Sequence, residues 1–360
     1  MTRVLQLLDL NADFESESLA DLLREQLGGA YQVARRSLRD NPASSVDAVL
    51  KLRRIRGEFD LLHAFSPRGL SVAAMVGGTI VYSPARFPTL QQIRWLRAVM
   101  SHREVQVTCP TDTICRAFIE RGVDINCCHL IRPAVQFAKI RRRRDDSLRS
   151  ALGFSPDEHV VLAGGESTRH ARHDLALWTA SILHVLDPKY RFLLWGRGES
   201  AATIANVNQK SLKPGLMSIA QAKLKRRVRF EELIPAADSV LITAAGPIAT
   251  LPMCISMAAA MPIVSTISTT VCELLEDRHN AILVNSDKPR VIAQKLLDLV
   301  EDSSLQWKLA DMARTEAYEF FSQTRLLSQF RALMVQTASG EKVELPQPVA
   351  GAGLRFHGRA

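Results

Sequence analysis

Two adjacent glycines, Gly164 and Gly165, close an apolar run (Val160 to Ala163), and Arg169 and Arg172 follow a few residues later. Glycine lets a phosphate oxygen come close to backbone N–H groups. A helix opening after a strand adds oriented N–H donors, and arginine grips phosphate through two bonds at once. Those residue types suit a phosphate or diphosphate anion. The same residues also fit a plain strand-to-helix turn followed by a solvated basic loop. His170 and His173 are three apart and could share a helix face, but no carboxylate or thiol stands at ligand spacing beside them, so no metal is expected there. The six cysteines (Cys109, Cys115, Cys127, Cys128, Cys254, Cys272) show no paired CxxC spacing, and Cys127-Cys128 with His129 has too few ligands for zinc. Buried free thiols are the expectation. The basic cluster Lys223, Lys225, Arg226, Arg227 and Arg229 suits either a solvated helix end or a patch facing a membrane or polyanion.

Holding a glycine turn in place takes a buried strand before it and a helix after it, and the sequence repeats that pair along most of its length. Val4 to Leu8 reads as a buried parallel strand, and Ser16 to Leu27 as a helix ended by Gly28-Gly29. Strands follow at Tyr31 to Ala34, Phe59 to Ala64, Thr79 to Tyr82, Val105 to Cys109 and His129 to Ile131. Helices are expected between them at Val46 to Arg56, Ser71 to Val76, Gln91 to Met100 and Asp112 to Arg121. The alternation restarts with strand His159 to Ala163, helix Asp174 to Leu186 and strand Arg191 to Trp195. Helix Ser218 to Lys225 and strands Val228 to Phe230 and Ser239 to Thr243 come next. Helix Leu251 to Ala260, strand Pro262 to Ser265, helix Val271 to Leu275 and strand Ala281 to Leu283 follow, and helices Pro289 to Glu301 and Ser304 to Phe321 complete the set. Such alternation means α/β architecture with parallel, doubly wound sheets. The expected division is an N-terminal Rossmann-like domain (1–137), a basic linker (138–150) and a C-terminal Rossmann-like domain (151–321). A helix (322–336) and a disordered tail (337–360) rich in Gly, Pro and Ala follow.

At 360 residues the chain suits two cores, and 47% hydrophobic with 23% charged residues excludes wholesale disorder. The excess of 46 Lys and Arg over 37 Asp and Glu, a net +9, favours an anionic partner: a nucleotide diphosphate, an acidic membrane surface or nucleic acid. Nucleic acid is disfavoured because the basic residues are not interleaved with aromatics, which are only 6%. A dinucleotide oxidoreductase is disfavoured because no G-x-G-x-x-G follows the first strand. The apolar stretch Val4 to Leu8 is far shorter than a secretory or membrane-spanning segment, so a cytoplasmic location is expected.

The run Ala236-Ala237-Asp238-Ser239-Val240-Leu241-Ile242, the run Ser256 to Thr266 with Met261-Pro262-Ile263-Val264, the stretch Cys272-Glu273-Leu274-Leu275, and Asn280-Ala281-Ile282-Leu283-Val284 with Asp287 and Val291-Ile292-Ala293 together resemble the donor-binding half of group 1 glycosyltransferases. Val160 to Gly165 resembles the strand before that family's phosphate loop, and Leu193 to Glu199 its "vG-Ge" turn. Phe59 to Ala64 and Leu130 to Val135 carry a weaker likeness in the first half. The resemblance covers roughly residues 1 to 335 and is specific in the last third. It implies the GT-B fold, two Rossmann-like domains facing a cleft, and transfer of a sugar from a nucleotide-diphosphate sugar to a glycan or lipid-linked acceptor. It also implies a metal-free mechanism with no cofactor, and a return of the helix 322–336 to the first domain; the net positive charge and the basic cluster at 223–229 suit peripheral contact with an anionic membrane.

By that resemblance, Gly164, Gly165, Arg169 and Arg172 hold the donor diphosphate, with Arg172 nearest the family's loop lysine. Arg197, Glu199, Thr266, Thr269 and Glu273 lie at the donor-site periphery; Arg197 also reads as a turn residue and Glu273 as a helix cap. Asn11, His63 and Arg86 face the acceptor. Departures are equally specific. The family's two glutamates, eight residues apart, fall on Pro247 and Ile255, neither of which accepts a hydroxyl hydrogen bond. Its loop arginine becomes Gly165, its Gly-rich first loop reads Asp9-Leu10-Asn11-Ala12-Asp13, and Ser83-Pro84-Ala85-Arg86 replaces its histidine. The alternative expectation is therefore an inactive GT-B scaffold or binding subunit.

Overall fold

The structure is a computed structural model, and it describes residues 2–28, 31–39, 41–210 and 216–339. The chain divides into two compact units, one running to Pro133 and resuming at Gln323, the other spanning Ala134–Ser322.

The first unit is built on six parallel strands: β1 (Thr2–Asp9), β2 (Tyr31–Leu38), β3 (Leu61–Ala64), β4 (Thr79–Tyr82), β5 (Val105–Cys109) and β6 (Cys128–Leu130), in the order β2-β1-β3-β4-β5-β6. β3 and β5 are buried at every residue, as expected for strands covered on both faces. Side chains cap the helices that return between strands. Asp13 accepts from the Ser16 N–H at 2.8 Å, Thr111 from the Ile114 N–H at 3.1 Å, and Thr89 forms a reciprocal capping box with Gln92. The helix Gln323–Ser339 is part of this unit: Arg325 donates to the Arg132 carbonyl at 2.9 Å, and the Tyr31 hydroxyl donates to the Arg331 carbonyl at 3.3 Å.

The second unit has six parallel strands as well: β7 (His159–Ala163), β8 (Tyr190–Leu194), β9 (Met217–Ile219), β10 (Ser239–Ile242), β11 (Ile263–Thr266) and β12 (Ile282–Val284), in the order β12-β11-β10-β7-β8-β9. β7 lies near the middle, paired with β10 and β8, so whatever follows Ala163 emerges at the centre of the sheet's carboxyl edge.

Several local expectations are corrected. Residues 138–150 are no free linker: they lie inside the second unit and end in the helix Asp146–Leu152, capped by Asp145 and closed by left-handed Gly153. The charges here are not all solvated: Arg149, 1% exposed, donates to the Ala236 carbonyl at 3.1 Å, to Asp238 at 2.9 Å and to the Glu158 carbonyl. The expected strand Val228 to Phe230 is replaced by the 3₁₀ segment Phe230–Ala236. The expected helix from Ser218 begins as β9, where the Asn208 amide holds both the Met217 N–H (3.0 Å) and carbonyl (2.8 Å). Helix Ala201–Lys210 was not anticipated, and 271–275 forms turns rather than a helix. Of the expected tail, Thr337 to Ser339 continue the helix; 340–360 lie outside the described residues.

Candidate functional site

At the carboxyl edge of the second sheet, the loops after β7, β8, β10 and β11 are tied together by hydrogen bonds. Gly164 continues the ladder, its N–H donating to the Leu241 carbonyl at 2.8 Å, and Gly165 then turns with φ +85°, a conformation that favours glycine. The N-terminus of helix Leu251–Ala258 faces this turn, Pro252 lying 3.9 Å from where a Gly165 Cβ would be. The Ser167 N–H donates to the Arg197 carbonyl at 2.6 Å, and the Ser200 N–H to the Ser167 carbonyl at 2.8 Å, clamping the β7 and β8 loops. Gly198 makes this approach possible: a Cβ there would lie 2.5 Å from the Ser167 carbonyl oxygen. On the other side, the Ala245 N–H donates to the His170 carbonyl at 2.9 Å, and Thr266 Oγ1 donates to the Ala244 carbonyl at 2.6 Å.

His173 locks the glycine turn from beneath. It is 2% exposed, its Nε2 lies 3.2 Å from the Gly164 carbonyl, and its Nδ1 lies 2.9 Å from Ser167 Oγ. A carbonyl only accepts, so Nε2 carries the proton and Nδ1 accepts from the serine hydroxyl. Burial lowers the His173 pKa to about 4, which keeps the ring neutral in this role near pH 7. Thr243 Oγ1 donates to the Ala171 and Arg172 carbonyls at 2.8 and 2.9 Å, fixing the start of helix His173–Leu186. Arg172 precedes that helix with φ +48° and without a side-chain cap.

The cations expected at this site play different parts. The Arg169 side chain is exposed and its guanidinium has no partner among the described residues. Arg172 is half-exposed and pairs with Asp174 at 3.1 Å. Arg197 pairs at 2.6 Å with Glu166, whose side chain is only 4% exposed, and its guanidinium stacks over the Trp195 ring at 5.6 Å. It thus braces the loop by neutralising a buried carboxylate. Glu199 is exposed, with its carboxylate 3.5 Å from the Arg169 backbone nitrogen. Thr266 is buried, Thr269 exposed and Glu273 half-buried. Pro247 is half-buried in the loop after β10, and Ile255 is enclosed within helix Leu251–Ala258, so an apolar core occupies the position expected of a sugar-binding glutamate. Glu166, His173 and Thr243 were not singled out as functional from the sequence. The only signal was their position one to three residues past a strand end or at a helix start.

In the first unit, Asn11 and Arg86 line a cavity of 280 Å³ at the carboxyl ends of β1, β3 and β4, together with Asp9, Asp13, Ser66 and Tyr82. Burial, followed by the charges of Asp9 and Asp13 among other groups, raises the Tyr82 pKa and keeps its hydroxyl protonated. His63 does not join them. It is fully buried, hydrogen-bonded through Nε2 to Ser83 Oγ at 2.7 Å, and stacked on Phe65 at 4.1 Å. Burial lowers its pKa to about 3, so it is a neutral core residue and reaches no acceptor. The reason is its place: β3 is covered on both faces, and Phe330 of helix Gln323–Ser339 lies 5.8 Å from the ring.

Among the described residues no group of three His, Cys, Asp or Glu side chains is placed to hold a metal ion, and no helix is long and apolar enough to cross a membrane. All six cysteines are free, three of them buried.

Comparison with known proteins identifies the fold. Residues 158–302 match the family model "Glycosyl transferases group 1". A comparison with curated protein sequences gives no match. HepE from Anabaena, solved with UDP and glucose, superposes with a TM-score of 0.75 at 16% identity over 93% of this chain and 99% of that one. Sucrose-phosphate synthase from Thermosynechococcus elongatus superposes at 0.76 with 12% identity over 95% and 100%. A glycosyltransferase from Rickettsia africae superposes at 0.72 with 13% identity over 94% and 99%. Likeness at such identities establishes the fold. The protein thus has the GT-B fold of these glycosyltransferases, and its residues 158–302 match the group 1 glycosyl transferase family model.

Proposed function

We propose that the protein transfers a sugar from a nucleotide-diphosphate sugar to a hydroxyl of a glycan or lipid-linked acceptor. The observation that carries this reading is the Gly164-Gly165 turn at the centre of the sheet's carboxyl edge, followed by the exposed guanidinium of Arg169, which has no partner among the described residues. Breaking the bond between sugar and phosphate leaves negative charge growing on the diphosphate, and preorganised donors aimed at that charge lower the barrier. The Gly165 N–H at the apex of the turn and the guanidinium of Arg169 supply them. Arg172 joins by exchanging Asp174 for phosphate, a modest cost for a pair this exposed. Arg197 cancels the charge of Glu166, which would otherwise repel the anion from its own loop. The chain's own cations serve the leaving group without a metal or cofactor. HepE was solved in complex with UDP-glucose, which makes uridine nucleotides the first to test.

The acceptor is proposed to enter the cavity at the carboxyl edge of the first sheet, where Asn11, Arg86 and Tyr82 offer both donors and acceptors to sugar hydroxyls. An inactive scaffold is the second reading, favoured by the apolar Pro247 and Ile255. Calorimetry with UDP, GDP and their sugars, followed by an assay for released nucleotide diphosphate, separates the two. Saturable binding with release supports transfer, binding without release supports the scaffold, and no binding at millimolar nucleotide contradicts both donor assignments.

A further inference from the structure

The second unit carries another site, away from the glycine turn. A groove of 820 Å³ opens at the amino ends of β7, β10 and β11, lined by Arg142, Arg143 and Arg144 on one side and by Met261, Pro262 and Val300 on the other. Most of its carboxylates are already neutralised: Glu158 pairs with Arg191 at 2.8 Å, and Asp238 with Arg149 at 2.9 Å and Arg144 at 3.8 Å. Asp157 carries no cation among the described residues. Among the described residues Arg142 and Arg143 have no carboxylate partner. Arg142 is steered into the groove wall by donating from Nε to the Ala259 carbonyl at 3.0 Å, and the Arg143 side chain has no partner among those residues. A further cation lies close by: Lys223 Nζ sits 3.6 Å from where a Gly153 Cβ would be, at the end of helix Asp146–Leu152, while Arg144 bonds Asp146 at its start; of its basic neighbours, Arg226 and Arg229 are paired with Glu232 and Glu231 at 2.7 and 2.6 Å. Seven residues of helix separate Lys223 from Arg144 by roughly 10 Å.

We propose that this surface docks the protein onto an anionic membrane, the groove taking the phosphate headgroup of an anionic phospholipid. Arg142 and Arg143 bind the phosphate oxygens, and Met261, Pro262 and Val300 meet the apolar part that adjoins them. A flat array of headgroups also engages Lys223, which a single small anion does not reach. The Gly164-Gly165 turn lies at the opposite, carboxyl edge of the same sheet, so docking leaves the proposed donor loops uncovered.

The test is sedimentation of the full chain with phosphatidylcholine vesicles, plain or containing phosphatidylglycerol. Binding is expected only with phosphatidylglycerol, and it weakens as salt is raised. Arg143→Glu is expected to weaken it roughly 30-fold, at about fivefold per charge, with melting unchanged. The double variant Arg142→Ala/Arg143→Ala is expected to match it. Arg36→Glu, an equal charge change at an exposed site in the first unit, is expected to keep binding within about threefold. No binding to phosphatidylglycerol vesicles, or an equal loss in Arg36→Glu, overturns the proposal. So does complete displacement by millimolar glycerol phosphate, which would make the ligand a soluble phosphate. UDP titration of the same variants reads the donor site separately, and an unchanged affinity is expected.

Discussion

Gly198→Ala perturbs the clamp between the β7 and β8 loops at its tightest point. The added Cβ would lie 2.5 Å from the Ser167 carbonyl oxygen and 2.7 Å from its nitrogen, both backbone atoms that cannot rotate away. At φ +116°, alanine also carries a strain of about 2 kcal/mol. Restoring normal contact moves the loops apart by roughly 1 Å, which breaks the Ser167-to-Arg197 and Ser200-to-Ser167 hydrogen bonds, at about 1 kcal/mol each. The sum is about 4 kcal/mol. For a unit the size of residues 134–322, each kcal/mol lowers the melting temperature by roughly 2 to 4 °C, so a fall of about 8 to 16 °C is expected by differential scanning calorimetry. UDP affinity should fall at least about tenfold, because Ser167 holds His173, which in turn holds the Gly164 carbonyl. Gly57→Ala is the control: nothing lies within 4 Å of its Cβ, and its melting temperature should stay within about 2 °C. If Gly198→Ala melts like the control and binds UDP normally, the reasoning about this clamp fails.

Arg197→Ala removes the cation from a nearly buried carboxylate and should cost about 3 kcal/mol in urea denaturation, with Glu166→Gln in the same background restoring more than half. Arg169→Ala should leave stability within about 0.5 kcal/mol but weaken UDP binding roughly tenfold, read by calorimetry. His173 and His63 are held neutral at pKa values of about 4 and about 3, below the 6.5 of an unfolded histidine, so the unfolded chain takes up protons first as pH falls. Stability is therefore complete above about pH 6.5 and declines as acid is added, by up to about 1.4 kcal/mol per pH unit for each ring. His173→Gln should flatten that slope for the second unit between pH 6.5 and 4, measured by urea denaturation across the range.

Much of the fold could be read from the chain because its central strands are continuous apolar runs between turn residues. β3, β5, β7 and β10 are short and enclosed, and that pattern survives without knowledge of their neighbours. Edge elements were harder. β9 depends on the Asn208 amide for its position, a contact between residues nine apart that no local propensity reveals. Arg149 illustrates the same limit for charge, since a guanidinium that looks solvated in sequence is buried once Asp238 and two carbonyls meet it from distant segments. At the site, Gly164, Gly165 and the cations were legible as types at a strand end. Their division into a free Arg169, a half-engaged Arg172 and a bracing Arg197 was not, because that division is set by Asp174 and Glu166. His63, expected to face the acceptor by resemblance, is instead covered by a helix from the far end of the chain, a contact that no local pattern reveals.

The central claim is that the glycine turn after β7 and its arginine hold a donor diphosphate. A crystal structure of the protein soaked with UDP tests it most directly. The expected result is diphosphate density within hydrogen-bond reach of the Gly165 N–H and the Arg169 guanidinium. Density bound elsewhere in the protein, or an empty turn at saturating nucleotide, would contradict the account.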